Sequence, residues 1–87
     1  MSDTLDLESL TALVSEFATE REWCQFHDPK NLAMALVSET GELAALFRWV
    51  QNSESDEFAR RIDVHAATTE EVGDIGILLL LICKRLQ

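Results

Sequence analysis

The chain has 87 residues, a formal charge of −9 from 16 acidic and 7 basic side chains, and a hydrophobic content of 47%. That length holds one small domain over residues 1–87, and the apolar content is ample for a packed core. The negative field repels phosphate backbones, so nucleic acid is excluded as a partner, and a phosphorylated ligand would need a cation to mediate its contact.

Three glycines, one proline and no β-type alternation predict an all-α chain of four helices, two of them long. A first helix starts after Asp6, a good N-cap, and runs to about Trp23 with Leu7, Leu10, Val14 and Phe17 as its apolar stripe. CQFHDPKN is the one strongly loop-like segment, and its Asp28-Pro29 pair predicts an N-cap followed by proline at the first helical position. The second helix extends to about Val50. QNSESD breaks the pattern, and EFARRIDVH reads as one short helical piece. Thr68-Thr69-Glu70-Glu71 resembles a capping box, from which a last helix continues to about Leu86.

Beyond Asp74 the last helix is apolar all round, with Ile75, Ile77, Leu78, Leu79, Leu80, Leu81 and Ile82 pointing in every direction. Such a helix must be covered all round. The expected remedy is a homodimer or homotetramer, and coverage by the first two helices alone is the alternative. The apolar run is far shorter than the ~20 residues a membrane span needs. The acidic N-terminus lacks the basic region of a signal peptide. No membrane association is expected, and the chain reads as cytoplasmic, with Cys24 and Cys83 as free thiols.

Two acidic pairs interrupt apolar stripes. Leu36, Leu43, Leu46 and Val50 share one face of the second helix; Glu39 falls in the middle of that face and Glu42 on its edge. In the last helix Glu71 shares a face with Ile75, Leu78 and Ile82, and Asp74 lies on its edge. Burying unpaired carboxylates is costly, and four like charges facing one another cannot all stay ionised without a cation. An all-oxygen set suits a hard ion, Mg²⁺ or Mn²⁺, and Mg²⁺ commonly shares its coordination with substrate phosphates. Taken singly, Glu71 could serve only the capping box and Glu42 could be a solvated edge residue.

The segment FATEREWCQFHDPKNLAMALVSETGELAALFRW, followed by EEVGD and an apolar helix, resembles the MazG-like all-α nucleoside triphosphate pyrophosphatases, most of all their dCTP pyrophosphatase branch. The family's ExxE…ExxD signature is met by Glu39, Glu42, Glu71 and Asp74. The resemblance implies a four-helix MazG-like bundle completed by oligomerisation. It implies hydrolysis of a nucleoside triphosphate, with a dNTP expected, to monophosphate and pyrophosphate as nucleotide-pool house-cleaning. It also implies Mg²⁺ held by the four acids. Glu39 is the candidate for orienting the attacking water, a role open to any of the three glutamates.

By the same resemblance Trp23, His27, Asn31 and Trp49 line the nucleoside pocket. Lys30 and Arg48 are candidates for phosphate contact or for charge-balancing surface groups. Trp49 could instead end the apolar face of its helix, and Trp23 could close the first helix on the core. His65 reads as a surface histidine. Two departures stand out: Leu78 occupies a position where many relatives carry tyrosine, and relatives commonly continue past the last apolar helix. They imply a pocket completed by another subunit, with Lys84 or Arg85, or a shortened form. The alternative to an enzyme is a non-catalytic helical oligomer that binds nucleotide or a protein partner.

Overall fold

The computed structural model describes residues 6–23, 25 and 28–87. Among these the chain is all-α: α1 (Leu7–Glu20), α2 (Pro29–Phe47), a 3₁₀ turn (Asn52–Glu54), α3 (Ser55–Ala59) and α4 (Ile62–Leu86). No strand occurs among the described residues, and none of their helices is long and apolar enough to cross a membrane.

Both predicted caps form. Asp6 accepts the Ser9 amide at 2.7 Å, and Asp28 accepts the Asn31 amide at 2.7 Å ahead of Pro29. Each satisfies an amide that the first helical turn leaves without a partner. The end of α1 differs from expectation: it closes at Glu20, not Trp23. Glu22 adopts a left-handed conformation with φ of 57°. Its amide bonds Thr19 O, and the Trp23 amide bonds Ala18 O, both at 3.0 Å. This is the two-bond Schellman closure with a glutamate where glycine is usual, and it turns Trp23 back across the end of α1.

The second helix ends at Phe47, three residues earlier than expected, where the Phe47 ring packs edge-on against Phe58 at 5.6 Å. EFARRIDVH is not one piece. It breaks at Arg60 and Arg61, whose amides close α3 onto Glu57 O and Phe58 O, and Ile62 opens α4. Thr68-Thr69-Glu70-Glu71 is therefore no capping box but lies in the interior of α4. Nothing from Ile62 to Ala67 breaks a helix, and Asp63 in the first turn suits the helix dipole, so the helix nucleates ahead of the threonines.

The dominant packing is α2 against α4, with α1 lying on α4 and α3 bracing the connection. Fully buried side chains are few among the described residues: Ala18, Leu32 and Val64. The radius of gyration is 15.5 Å, against about 12 Å for a compact domain of this length. Val72, Leu79 and Leu86, seven residues apart on one face of α4, are 52%, 48% and 68% exposed. A hollow of about 620 Å³ separates Leu7, Leu10 and Val14 of α1 from Gly76, Ile77 and Leu80 of α4. Neither α1 nor α2 covers that face of α4.

The left-handed residue generates a test. A non-glycine residue there costs about 1 kcal/mol or more, so Glu22→Gly should raise stability by about that amount in urea unfolding. A variant less stable than the parent would contradict the Schellman closure.

Candidate functional site

The acidic pairs meet because α2 and α4 run antiparallel. Glu42 reaches Glu71, while Glu39 and Ala35, earlier on α2, share a cleft with Asp74 and Leu78, later on α4. Spacing of three along each helix then sets both pairs on the shared seam. Glu39, Glu42 and Glu71 each offer a carboxylate oxygen, all within 4.8 Å of one another. Glu39 and Glu71 are half-buried and Glu42 is exposed. Oε2 of Glu39 and Oε2 of Glu71 are both enclosed, and among the described residues no donor reaches either one.

This crowding raises the pKa of Glu71 from 4.5 to about 7. The largest cause is hydrogen bonding with the Glu39 carboxyl, which requires a shared proton; partial desolvation and the charges of Glu42 and Glu39 add to it. A proton is the remedy the chain itself has for the cluster, and a cation is the other. Oxygens around a hard divalent ion bound at about 2.1 Å stand about 3–4 Å apart, a separation these three can reach. An all-carboxylate set also matches the donor preference of such ions. The three groups therefore form a candidate divalent-cation site. Asp74, half-buried one turn beyond Glu71, is outside the trio but lines the adjoining cleft with Glu39.

That cleft has a volume of about 360 Å³, with Phe17, Trp23, Leu78 and Leu81 among its walls. The Trp23 ring meets Phe17 edge-on at 5.4 Å and is 42% exposed. Beside it, the Arg21 guanidinium sits 3.6 Å over the Phe17 ring and 5.9 Å from that of Trp23. Sequence reasoning did not single out Arg21; the signal was its place in EREW, between the end of α1 and Trp23.

The remaining predicted residues fall elsewhere. Asn31 lies one turn before Ala35 on α2, its side chain bonding the Asp28 carboxylate at 3.3 Å. Lys30 is exposed in the same first turn, about 13 Å along the axis from Glu39. Trp49 is 87% exposed and lines a separate hollow of about 600 Å³ with Glu54, Phe58 and Arg61. Arg48 stands over its ring at 5.5 Å. Within one chain Trp49 and the carboxylates are thus not brought together. His65 is exposed, as is the free thiol of Cys83. His27 and Cys24 lie outside the described residues.

An all-α chain with converging carboxylates beside an aromatic cleft shares these features with the helical proteins that hold cations between their helices. Sequence comparison narrows the class. No protein-family model matches the chain. Over 79 residues, 91% of its length, it is 46% identical to dCTP pyrophosphatase 1 of Rattus norvegicus, 47% to that of Bos taurus and 44% to that of Homo sapiens. The chain is thus similar to the dCTP pyrophosphatase 1 proteins over nearly all of its own length. It spans about half the length of these curated relatives, 46–47% of each.

The raised pKa has a thermodynamic consequence. Folded Glu71 binds its proton more tightly than unfolded Glu71, so its contribution to stability is complete below pH 4.5 and is lost as pH rises through about 7. In chelator, the melting temperature of the wild type should fall over that window relative to Glu71→Gln. Parallel pH profiles for the two proteins would show that Glu71 titrates normally.

Proposed function

We propose that this chain hydrolyses a (deoxy)nucleoside triphosphate between the α and β phosphates, releasing the monophosphate and pyrophosphate, with Mg²⁺ as the cation and Mn²⁺ as a substitute. The observation that carries the reading is the convergence of Glu39, Glu42 and Glu71 within 4.8 Å, with two enclosed oxygens lacking any donor. Similarity to the dCTP pyrophosphatase 1 proteins supports the reaction class. The relatives are named for dCTP, which makes dCTP the first substrate to test.

Bound at the cluster, a divalent cation supplies charge neutralisation for the triphosphate. The residues of the chain divide the remaining tasks. Glu42 and Glu71 face the cation from the two helices, and Asp74 extends the acidic surface into the cleft. Glu39, shared between cluster and cleft, orients a water for in-line attack on the α phosphorus and accepts its proton as the anhydride bond to the β phosphorus breaks. The leaving pyrophosphate departs with the bond electrons. Trp23, which lines the cleft with Glu39, stacks on the base, a contact that is favourable for any base. Arg21, beside Phe17, and Lys30 and Asn31, in the first turn of α2, are candidates for polar or phosphate contacts.

The same reading includes a homodimer or homotetramer. Its support is the uncovered face of α4, the hollow against α1 and the open shape of the single chain. Trp49 joins a nucleoside pocket, on this view, only from a neighbouring subunit.

Two experiments test the proposal. Pyrophosphate release from dCTP and a panel of other dNTPs should require Mg²⁺, stop in EDTA, and fall about 100-fold or more in Glu42→Gln with the helical circular dichroism unchanged. Undiminished turnover in that folded variant would remove Glu42 from the site. In sedimentation, Leu79→Lys should lower the mass of the wild-type oligomer; an unchanged mass would mean that this face of α4 is not the interface.

A further inference from the structure

Three of the five threonines in the described helices dispose of their hydroxyls in one way. Thr11 donates to Leu7 O at 2.6 Å, Thr19 to Ser15 O at 2.9 Å, and Thr40 to Leu36 O at 2.9 Å. Each is a bond back to the carbonyl four residues earlier, the usual outlet for such a hydroxyl in a helix. Thr68 departs from the pattern. It lies in the interior of α4, its hydroxyl is enclosed, and yet among the described residues that hydroxyl bonds neither the Val64 carbonyl nor any other group. A helical threonine divides between two χ1 wells, and one of them forgoes the backbone bond and presents the oxygen elsewhere.

An acceptor in the complementary condition stands one turn away. Glu71 follows Thr68 by three residues, the spacing at which side chains on a helix are neighbours. Helical side chains lean toward the N-terminus, so the Glu71 carboxylate lies over the turn that carries Thr68. Its Oε2 is enclosed and has no donor. Thr69, next in sequence, is exposed and on another face, so it offers no substitute.

We propose that Thr68 is a positioning residue: its hydroxyl, unbonded in the cation-free structure, turns to donate to the Glu71 carboxylate when a cation binds and holds it in the rotamer that joins Glu39 and Glu42 around the ion. The inference rests on the cation-site reading of the cluster. A hydrogen bond from outside the ligand set restricts where a ligating carboxylate can point, and loss of such a partner typically weakens metal affinity by 10- to 100-fold.

The test uses Mn²⁺ alone as the probe, with wild type, Thr68→Val and Thr68→Ser. Free Mn²⁺ is followed by its paramagnetic resonance signal, and melting temperature is measured separately in chelator. Valine keeps the shape of threonine without the donor, and serine keeps the donor. Thr68→Val should bind Mn²⁺ about tenfold more weakly or worse, Thr68→Ser close to wild type. In chelator the valine variant should melt no lower than wild type, because it removes a hydroxyl with no partner. Wild-type affinity in Thr68→Val overturns the proposal and leaves the cation site standing. So does a serine variant as weak as the valine one, or a valine variant that loses affinity only in step with its melting temperature. A wild type that binds no Mn²⁺ overturns the cation site and this inference together.

Discussion

Like charges held in one place are the constraint from which the rest of this structure follows. Glu39, Glu42 and Glu71 approach within 4.8 Å of one another across the α2–α4 seam, on helix faces that otherwise carry leucines and isoleucines. Antiparallel packing of those apolar faces brings the acids together, so the hydrophobic effect does the work of assembling a repulsive cluster. The cost is visible in Glu71, whose proton is retained to about pH 7. A proton relieves it, and a cation at the proposed site would do the same, so that cation binding there would be coupled to pH.

The cleft beside the cluster depends on an event at the end of another helix. If α1 continued to Trp23, the indole would follow the helical rotation. Instead Glu22 takes the left-handed conformation, the chain reverses, and the Trp23 ring lies edge-on to Phe17 at the cleft mouth. Arg21 is carried along and caps the Phe17 ring. One residue in a strained backbone region thus arranges an aromatic wall of the cleft that Glu39 and Asp74 also line, with a guanidinium packed on it. Such strain is tolerated where surrounding bonds over-determine it, and here two backbone bonds do so.

A single chain leaves much of α4 in contact with solvent. Its 25 residues outrun what α1 and α2 can cover, and its exposed face repeats every seven residues at Val72, Leu79 and Leu86. That repeat is the spacing by which one helix meets another along its length. The hollow around Trp49 lies at the other end of α2 from Trp23, bounded by α3 and the start of α4. The division of aromatic residues between the two ends of one helix fits a site that draws on more than one chain.

The all-α class, both aspartate caps and the apolar stripes were legible in the sequence, because each depends on local chemistry or on a fixed periodicity. The pairing of Glu39 and Glu42 with Glu71 was legible too, since acids on two apolar faces converge when those faces pack. Local signals failed where two of them competed. Thr68-Thr69-Glu70-Glu71 has the composition of a capping box, but α4 had already begun at Ile62, so tertiary packing of Val64 prevailed over the cap signal. The turn at Glu22 carries no glycine to announce it. Asp74 matches the spacing of the other acids yet stands outside the trio, and Trp49 is separated from them. Which residues share a face is decided by helical period alone; which of them reach one another is decided only by the register between helices, a long-range property that no local spacing encodes.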